Sequence, residues 1–580
     1  MPSATRRTTS FIVLLLAGVP GVVALGGSQG WTAGQVSAAD AIRRALPALV
    51  SARRADLSPR AGLELTTLYE MSAGGPIWVD STGRPNGQAR TALGLLGESS
   101  NDALLPADYG TAELSALAGR LGGAAPAPAT AATFEVLLSV GVLRYFRHLH
   151  IGRIDPRAAG FVGTVPEDDH DFADIVWNAL AGNRLAEAAT DLTPPLTHYR
   201  ALRARLAHYR ALSAAATDDD VPAFTGTVRP GDVYPGLATL HRLLVTVGDL
   251  PPDAPLPPSG LYDEPTHAGV MRFQERHGLA PDGVIGRATQ AALRVPLSWR
   301  VRQIELALER LRWLPDLSRG RFVAVNIPMF RLWAWDHGPA DGAPAVTMAV
   351  IVGRALGTET PALAKSLEHV IFRPYWNVPA SILRNEMLPI LRRDPEYLDR
   401  QNLEMVQGPG DNAAVLPPTP ENIARLGREG VRLRQRPGPT NALGRVKFVF
   451  PNDDNVYMHD TPAPLLFRQA RRDLSHGCIR VADPVALAEW VLAGDPVWTR
   501  DRILAAMNGA WNRRVDLLDP IQVVVFYSTA LVAPEDGAMR FADDIYGQDA
   551  ALDEALMKDS GPTYQRRTRP VSTCTKSDAG

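Results

Sequence analysis

Apolar residues recur three and four positions apart through most of the region 39–225, clearest in TFEVLLSVGVLRYFRHLH and LTHYRALRARLAHYRAL, and this spacing predicts helices. The Ala/Pro stretch GGAAPAPATAA is a loop between them, and the many His and Arg residues read as a solvated helix face. A second helical unit spans 229–297. Leu237, Leu240, Leu243 and Leu244 share one face, Val270 and Phe273 mark a second helix, Ala288 to Leu293 a third, and Pro281-Asp282-Gly283 makes a turn. After a connecting helix over 298–318, in QIELALERLRWLP, the period shortens from 3.6 to 2. Strands are expected in RFVAVNIPMFRLWAW, AVTMAVIVG, HVIFRPYWNVP, RVKFVFPN, NVYMHD and IQVVVFYSTALV, within a β-rich domain over 319–557. Residues 379–437 interrupt it with a stretch that reads as helical and Pro-rich, and an insertion of that length suggests a lid. The polar tail 558–580 reads as disordered. The fold class is therefore multidomain α+β, in line with three or four domains for 580 residues.

The first 38 residues form none of these units. Arg6 and Arg7 precede an apolar run from Phe11 to about Leu25 and then small residues, the layout of a signal peptide or an N-terminal anchor. The run is short for a membrane span and contains Pro20, and nothing later reads as apolar enough to cross a bilayer. The expected location is the periplasm, with the inner membrane touched only through an uncleaved anchor. A formal net charge of −2 argues against a nucleic-acid partner. Cationic charge is almost all arginine; lysine occurs only at positions 365, 447, 558 and 576.

Cysteine is scarcer still. An exported chain with only Cys478 and Cys574 has no disulfide framework, and Cys574 lies in the polar tail. Cys478, in RRDLSHGCIRV, thus reads as a working thiol, against the bland alternative of a small buried hydrophobe. Such a thiol needs a base and donors for an oxyanion. His476 shares a face with Cys478 in an extended segment, while His459, ending the strand NVYMH, comes from a separate element and is better placed to reach a leaving group. The amides of Gly477 and Cys478 are candidate oxyanion donors, and Tyr457 alternates with His459, as a hydroxyl donor or a packed ring. Zinc bound by Cys478, His476 and His459 is the competing reading, but a fourth ligand is not evident.

His459, fifteen residues, then Ser475-His476-Gly477-Cys478-Ile479-Arg480 resembles the signature of the L,D-transpeptidase catalytic domain, the YkuD family. RFQERHGLAPDGVIGRAT resembles the peptidoglycan-binding-like domain. YWNVP, RLRQRPGPTNALGRVKFVFPN and FADDIYGQDAAL are similar to the large YcbB-type branch, which joins a helical domain, that module and a catalytic domain with a lid-like insertion. The resemblance implies Cys478 as nucleophile and His459 as general base and later acid. It implies His476 and Ser475 as residues shaping the turn. Arg480 would orient the loop, meet a substrate carboxylate or form a structural ion pair, and Trp376 would line the cleft or sit in the core. The implied reaction cross-links the third residues of two peptidoglycan stems, using a tetrapeptide donor and releasing D-alanine, without cofactor or metal. Alternatives are an L,D-carboxypeptidase, attachment of a protein to peptidoglycan, or a non-catalytic wall-binding scaffold. Other cell-wall enzymes are possible partners.

Overall fold

The structure, a computed structural model, describes residues 37–123, 126–157, 170–215, 226–257, 260–338, 342–355 and 357–560. The N-terminal run to residue 36 and the tail from 561, with Cys574, lie outside the described residues.

Eight α-helices build the first unit: Ala38–Ala55, Pro59–Met71, Gly87–Gly97, Thr111–Leu121, Pro128–Ile151, Phe172–Ala181, Leu185–Asp191 and Thr197–Ala215. Ser37, Ser58, Asn86 and Asp171 cap four of them, each side chain accepting a backbone N–H in the first turn. Pro128–Ile151 corrects the expectation that nothing after residue 25 could cross a membrane: its 24 residues are long and apolar enough by length and composition. Two-thirds of that apolar window is buried in protein, which identifies a core helix that is apolar nearly all round. The solvated-face reading holds for Arg144, Arg200, Arg205 and His208, which are exposed, but fails for His148, which is buried with Nδ1 3.1 Å from the Tyr109 hydroxyl. Glu135, on the same helix and fully buried, accepts the N–H groups of Ile77, Trp78 and Val79 at 2.9, 2.6 and 2.7 Å.

The small module has helices Leu237–Thr246, Glu264–Arg276 and Arg287–Leu293 around Leu240, Leu244, Val270 and Phe273. Its turn needs Gly283, whose φ of +67° is a left-handed conformation. Gln274 Oε1 accepts the Gly283 N–H at 2.7 Å.

The connecting helix, Leu297–Leu311, is buried along every residue from Trp299 onward, charged ones included. Burying charge requires partners. Arg302 meets Glu305 at 3.0 Å, and Arg310 meets Asp549 at 2.5 Å in the C-terminal helix Gln548–Ser560. Just beyond the helix, Arg312 meets Glu309 at 2.8 Å and the Tyr199 hydroxyl at 2.8 Å, joining the connecting helix to the helical domain.

The β-rich unit contains β1 (Phe322–Asn326), β2 (Arg331–Trp335), β3 (Val346–Gly353), β4 (Leu363–Phe372) and β5 (Trp376–Asn377). It continues with β6 (Leu403–Gln407), β7 (Ala414–Leu416), β8 (Val431–Gln435), β9 (Val446–Val449) and β10 (Met458–His459). Last come β11 (Asp473–Ser475), β12 (Ile479–Val481), β13 (Arg513–Phe526), β14 (Ala530–Val532) and β15 (Met539–Phe541). The main sheet runs β11-β3-β12-β10-β9-β4-β13-β1-β2, and β2 pairs back onto β3, so eight strands close on themselves around an apolar core. Helices Pro484–Leu492 and Arg500–Asn508 complete that core through Leu487, Trp490, Ile503 and Met507.

The insertion meets the helical expectation only in part: Ala380–Ile382, Leu383–Met387 and Leu388–Leu391 run on as one helical stretch and Pro420–Arg425 forms another, but its body is a four-stranded sheet, β5-β8-β6-β7, with a core of its own. VRLRQ alternates at period 2 only as far as Arg434 and LEMVQ only as far as Met405, a strand signal too short to stand out among the surrounding Pro and Arg.

Because Arg312 is fully buried, holds Glu309 and reaches the Tyr199 hydroxyl and Asp102 carbonyl of the helical domain, Arg312→Met should destabilise the chain by about 3–5 kcal/mol by removing the cation that the buried Glu309 carboxylate meets beside its backbone N–H donors. Thermal unfolding followed by circular dichroism checks this; an unchanged melting profile refutes the role.

Candidate active site

The site is built on one strand pairing. β10 lies parallel to β12, with Met458 opposite Ile479 and His459 opposite Arg480, and the Ile479 N–H donates to the Tyr457 carbonyl at 3.0 Å. Met458 and Ile479 are fully buried in the core, so the alternate residues Tyr457, His459, Cys478 and Arg480 share the opposite face. β9 pairs antiparallel to β10 with Lys447 opposite His459, which sets Lys447, His459 and Arg480 in a row across three strands. Cys478 is the diagonal neighbour of His459 on that face, and Tyr457 stands beside it.

The turn that carries the cysteine is held from two sides. Ser475 Oγ donates to the Cys478 carbonyl at 2.5 Å and accepts the Gly477 N–H at 3.2 Å. Gly477 has φ +107°, a conformation that a side chain would strain. From the β3–β4 connection, Thr360 Oγ1 donates to the Gly477 carbonyl at 2.7 Å and accepts the Gly353 N–H at 2.8 Å. The Tyr546 hydroxyl donates to the Gly353 carbonyl at 2.5 Å, and the Arg354 N–H donates to the Ser475 carbonyl at 3.0 Å.

The thiol and the imidazole are tuned in opposite ways by burial. Desolvation raises the Cys478 thiol above its ordinary pKa, opposed by Tyr457 and by the charges of Lys447 and Arg480. The sulfur also lies 3.8 Å from the Asn455 carbonyl. Desolvation, then the Arg480 charge, push His459 down to about 3, against the carbonyls of Asp460 and Leu443. His459 is therefore neutral, and its Nδ1, 2.5 Å from the Asp460 carbonyl, carries the proton and leaves Nε2 unprotonated. The Asp460 carboxylate is occupied elsewhere: Oδ2 accepts the Arg445 N–H at 2.9 Å and Oδ1 the Thr461 N–H at 2.7 Å.

Beside this face opens a cavity of about 350 Å³. Trp376, Met387, Tyr397 and Gln435 from the insertion and its base line one side, Thr461 and Arg480 the other. A larger apolar cavity, about 420 Å³, lies under helix Thr197–Ala215 and contains none of the candidate residues.

Comparison with known proteins gives this arrangement its context. Residues 320–498 match the L,D-transpeptidase catalytic domain, YkuD; residues 63–206 match the scaffold domain and 234–293 the "Putative peptidoglycan binding domain". The chain carries a YkuD-family L,D-transpeptidase catalytic domain. A curated Haemophilus influenzae protein named "Putative L,D-transpeptidase" is 31% identical over 254 residues, which are 44% of this chain and 49% of that protein. The chain thus spans about half the length of the curated relative it matches. The crystal structure of the L,D-transpeptidase (residues 123–326) from Xylanimonas cellulosilytica is matched at 16% identity over 53% of this chain and 100% of that one, with a TM-score of 0.16. That score is too low for a shared fold to be read from it.

Within the YkuD domain, the structure brings Cys478, His459, Tyr457 and Arg480 onto one face and puts Trp376 in the cleft wall. Ser475 spans the turn, and the Gly477 N–H, expected as an oxyanion donor, is engaged by Ser475 Oγ in this conformation. His476 points away from the thiol's neighbours to the insertion, its Nε2 2.9 Å from Glu386 Oε1.

Four contributors escaped the sequence reading. Glu386 and Thr360 carry no local signal. Tyr546 lies in FADDIYGQDAAL, a stretch singled out for its resemblance but given no role. Lys447 had the clearest signal, as one of four lysines in the chain. Its ammonium lies 3.5 Å from the centre of the Tyr457 ring, a cation–π contact beside the thiol.

Since His459 is neutral far below physiological pH and the thiol titrates high, alkylation of Cys478 by iodoacetamide should rise through the alkaline range without an acid limb near about 6.5. Lys447→Met removes a charge that favours the thiolate and should move the midpoint upward, whereas Lys447→Arg should hold it. A wild-type midpoint below neutrality would contradict this electrostatic account.

Proposed function

We propose that the chain is an exported cell-wall L,D-transpeptidase in which Cys478 attacks the carbonyl joining the third, diamino-acid residue of a tetrapeptide stem to its terminal D-alanine. The observation that carries the reading is the shared face of β10 and β12, which sets the only described thiol diagonally beside a neutral imidazole at the edge of a cleft. The thiol proton passes to His459, the Cys478 sulfur forms a thioester, the C–N bond breaks, and the D-alanine amine leaves with the proton. A neighbouring stem's amine then attacks the thioester, its proton passing through His459 as the thiol is regenerated. Protons and bonds balance without metal or nucleotide. Tyr457 and Lys447 favour the thiolate as it forms.

The N-terminal run of two arginines and then apolar residues supports export to the periplasm, and the module at 229–297 would hold the enzyme on its polymer. The insertion would close over the donor stem, supported by the Glu386–His476 contact and by the cleft lining that it supplies.

Mass spectrometry of the chain without its first 38 residues, incubated with disaccharide-tetrapeptide, tests the reading. Loss of D-alanine with a cross-linked dimer is expected, absent in Cys478→Ala. His459→Ala should lower the rate by about 10²–10⁴ and Ser475→Ala far less. Tripeptide as the sole product would establish a carboxypeptidase, and wall binding without any Cys478 adduct would establish a scaffold.

A second prediction concerns the insertion. β5 pairs with β8, so its two ends are adjacent and residues 380–432 can be replaced by a short Gly/Ser linker. Donor acylation should then fall at least about tenfold as positioning is lost; an unchanged rate refutes the lid role.

A further inference from the structure

The outer face of the main sheet carries a cavity that the proposed chemistry does not use. Along β1, β2 and β13 the two-residue period sends Val323, Leu332 and Val523 into the core and their alternates to the opposite side, under helix Thr197–Ala215 and the end of the connecting helix. Those alternates are mostly large: Phe322, Trp333, Trp335 and Phe526. Ala324 on β1 and Ala201 on the helix are small, and where they line the gap the large side chains hold helix and sheet apart around about 420 Å³ of space. Protein interiors leave few voids larger than a water molecule, and about 150 Å³ of apolar cavity is enough to take up benzene.

Two side chains in its wall carry unsatisfied nitrogens. Trp335 is 8% exposed and stacks on Phe322 with ring centres 4.7 Å apart, yet its Nε1 has no hydrogen-bond partner among the described residues. Trp333, two residues earlier, shows what is missing: its Nε1 donates to Glu535 Oε1 at 2.8 Å. His198 Nε2 is likewise buried without a partner among the described residues. Desolvation lowers the His198 pKa to about 4, so the imidazole is neutral. A buried donor left unmatched costs its full desolvation, so both groups gain when a ligand supplies the partner.

The wall narrows the ligand by charge and by polarity. None of the described lining residues is Asp, Glu, Lys or Arg, so an ionised ligand would lose its hydration and meet no counter-charge. The indole N–H can only donate, so the ligand must offer an oxygen acceptor, whereas a neutral imidazole nitrogen gives or takes a hydrogen bond according to its tautomer. A hydroxyl satisfies either. The rest of the wall, with Leu311 and Leu531, takes hydrocarbon. Peptide stems with their amines and carboxylates do not fit this description, and the cavity shares no lining residue with the cleft beside Cys478.

We propose that this cavity is a second ligand site, which takes a neutral aliphatic alcohol: the hydroxyl accepts from the Trp335 indole, and the chain fills the space between helix Thr197–Ala215 and the sheet. One wall belongs to the helical domain and the other to the β-rich unit, so the bound chain ties the two together. The site stands apart from the acyl-transfer reading of Cys478 and is tested without turnover.

The test titrates 1-octanol, below its solubility limit, into the purified protein, followed by tryptophan fluorescence and thermal unfolding. One saturable site per chain and a raised melting temperature are expected. Octanoate, which must bury its charge, should bind at least about tenfold more weakly. Trp335→Phe keeps an aromatic ring on Phe322 but loses the donor, and should weaken 1-octanol about three- to tenfold. Ala201→Phe fills the space from the helix side and should abolish saturable binding without lowering the melting temperature. No saturable binding, with water as the sole occupant, overturns the site; so does octanoate binding as tightly as 1-octanol, or binding that survives Ala201→Phe. Should either variant not fold, wild type decides: a diazirine-bearing octanol, photolysed on the protein, should label peptides from 197–201, 322–326 or 331–335 in competition with 1-octanol, and label found only elsewhere refutes the site.

Discussion

The parallel pairing of β10 with β12 is the constraint on which the site depends. It joins two segments about twenty residues apart in sequence and sorts their side chains by the two-residue period of a strand. Met458 and Ile479 enter the core, so a slip of one residue would bury Tyr457, His459, Cys478 and Arg480 and expose the apolar pair. Burial of that apolar pair thus enforces the chemical register. The turn between Ser475 and Cys478 can accordingly be held by small groups: a serine hydroxyl, a threonine hydroxyl and a glycine in a positive-φ conformation.

That same face is dry and cationic. Desolvation disfavours both the thiolate and the imidazolium, so the resting pair is a neutral thiol beside a neutral imidazole, unlike a preformed ion pair. Lys447 and Arg480 supply a positive field that favours the thiolate over the thiol. The His459 imidazole is oriented by a main-chain carbonyl, which frees the Asp460 carboxylate to fix the neighbouring turn at Arg445.

The remainder of the chain serves to place this face. The connecting helix Leu297–Leu311 is enclosed by the helical domain, the closed sheet and the C-terminal helix, with its charged residues matched across those boundaries. The insertion folds around its own small sheet and core, so it can act as a unit rather than as a loop. It meets the cysteine turn through Glu386 and His476, a partly exposed pair suited to breaking and reforming.

Local residue types determined a good deal: the change of hydrophobic period from 3.6 to 2, the three short helices of the small module, and the thiol and histidine of the motif. Each signal is carried by side chains close together in sequence, and residue chemistry alone makes a scarce cysteine beside histidines conspicuous. Tertiary structure alone decided the rest. It made Pro128–Ile151 a core helix, and it turned LEMVQ and VRLRQ into a sheet where helices were expected. It tied the Gly477 amide to Ser475, and aligned Lys447, His459 and Arg480 in one row. These outcomes depend on which strands pair, in what register and behind how much protein. Burial and partner charge are properties of the assembled sheet, and no single segment carries them.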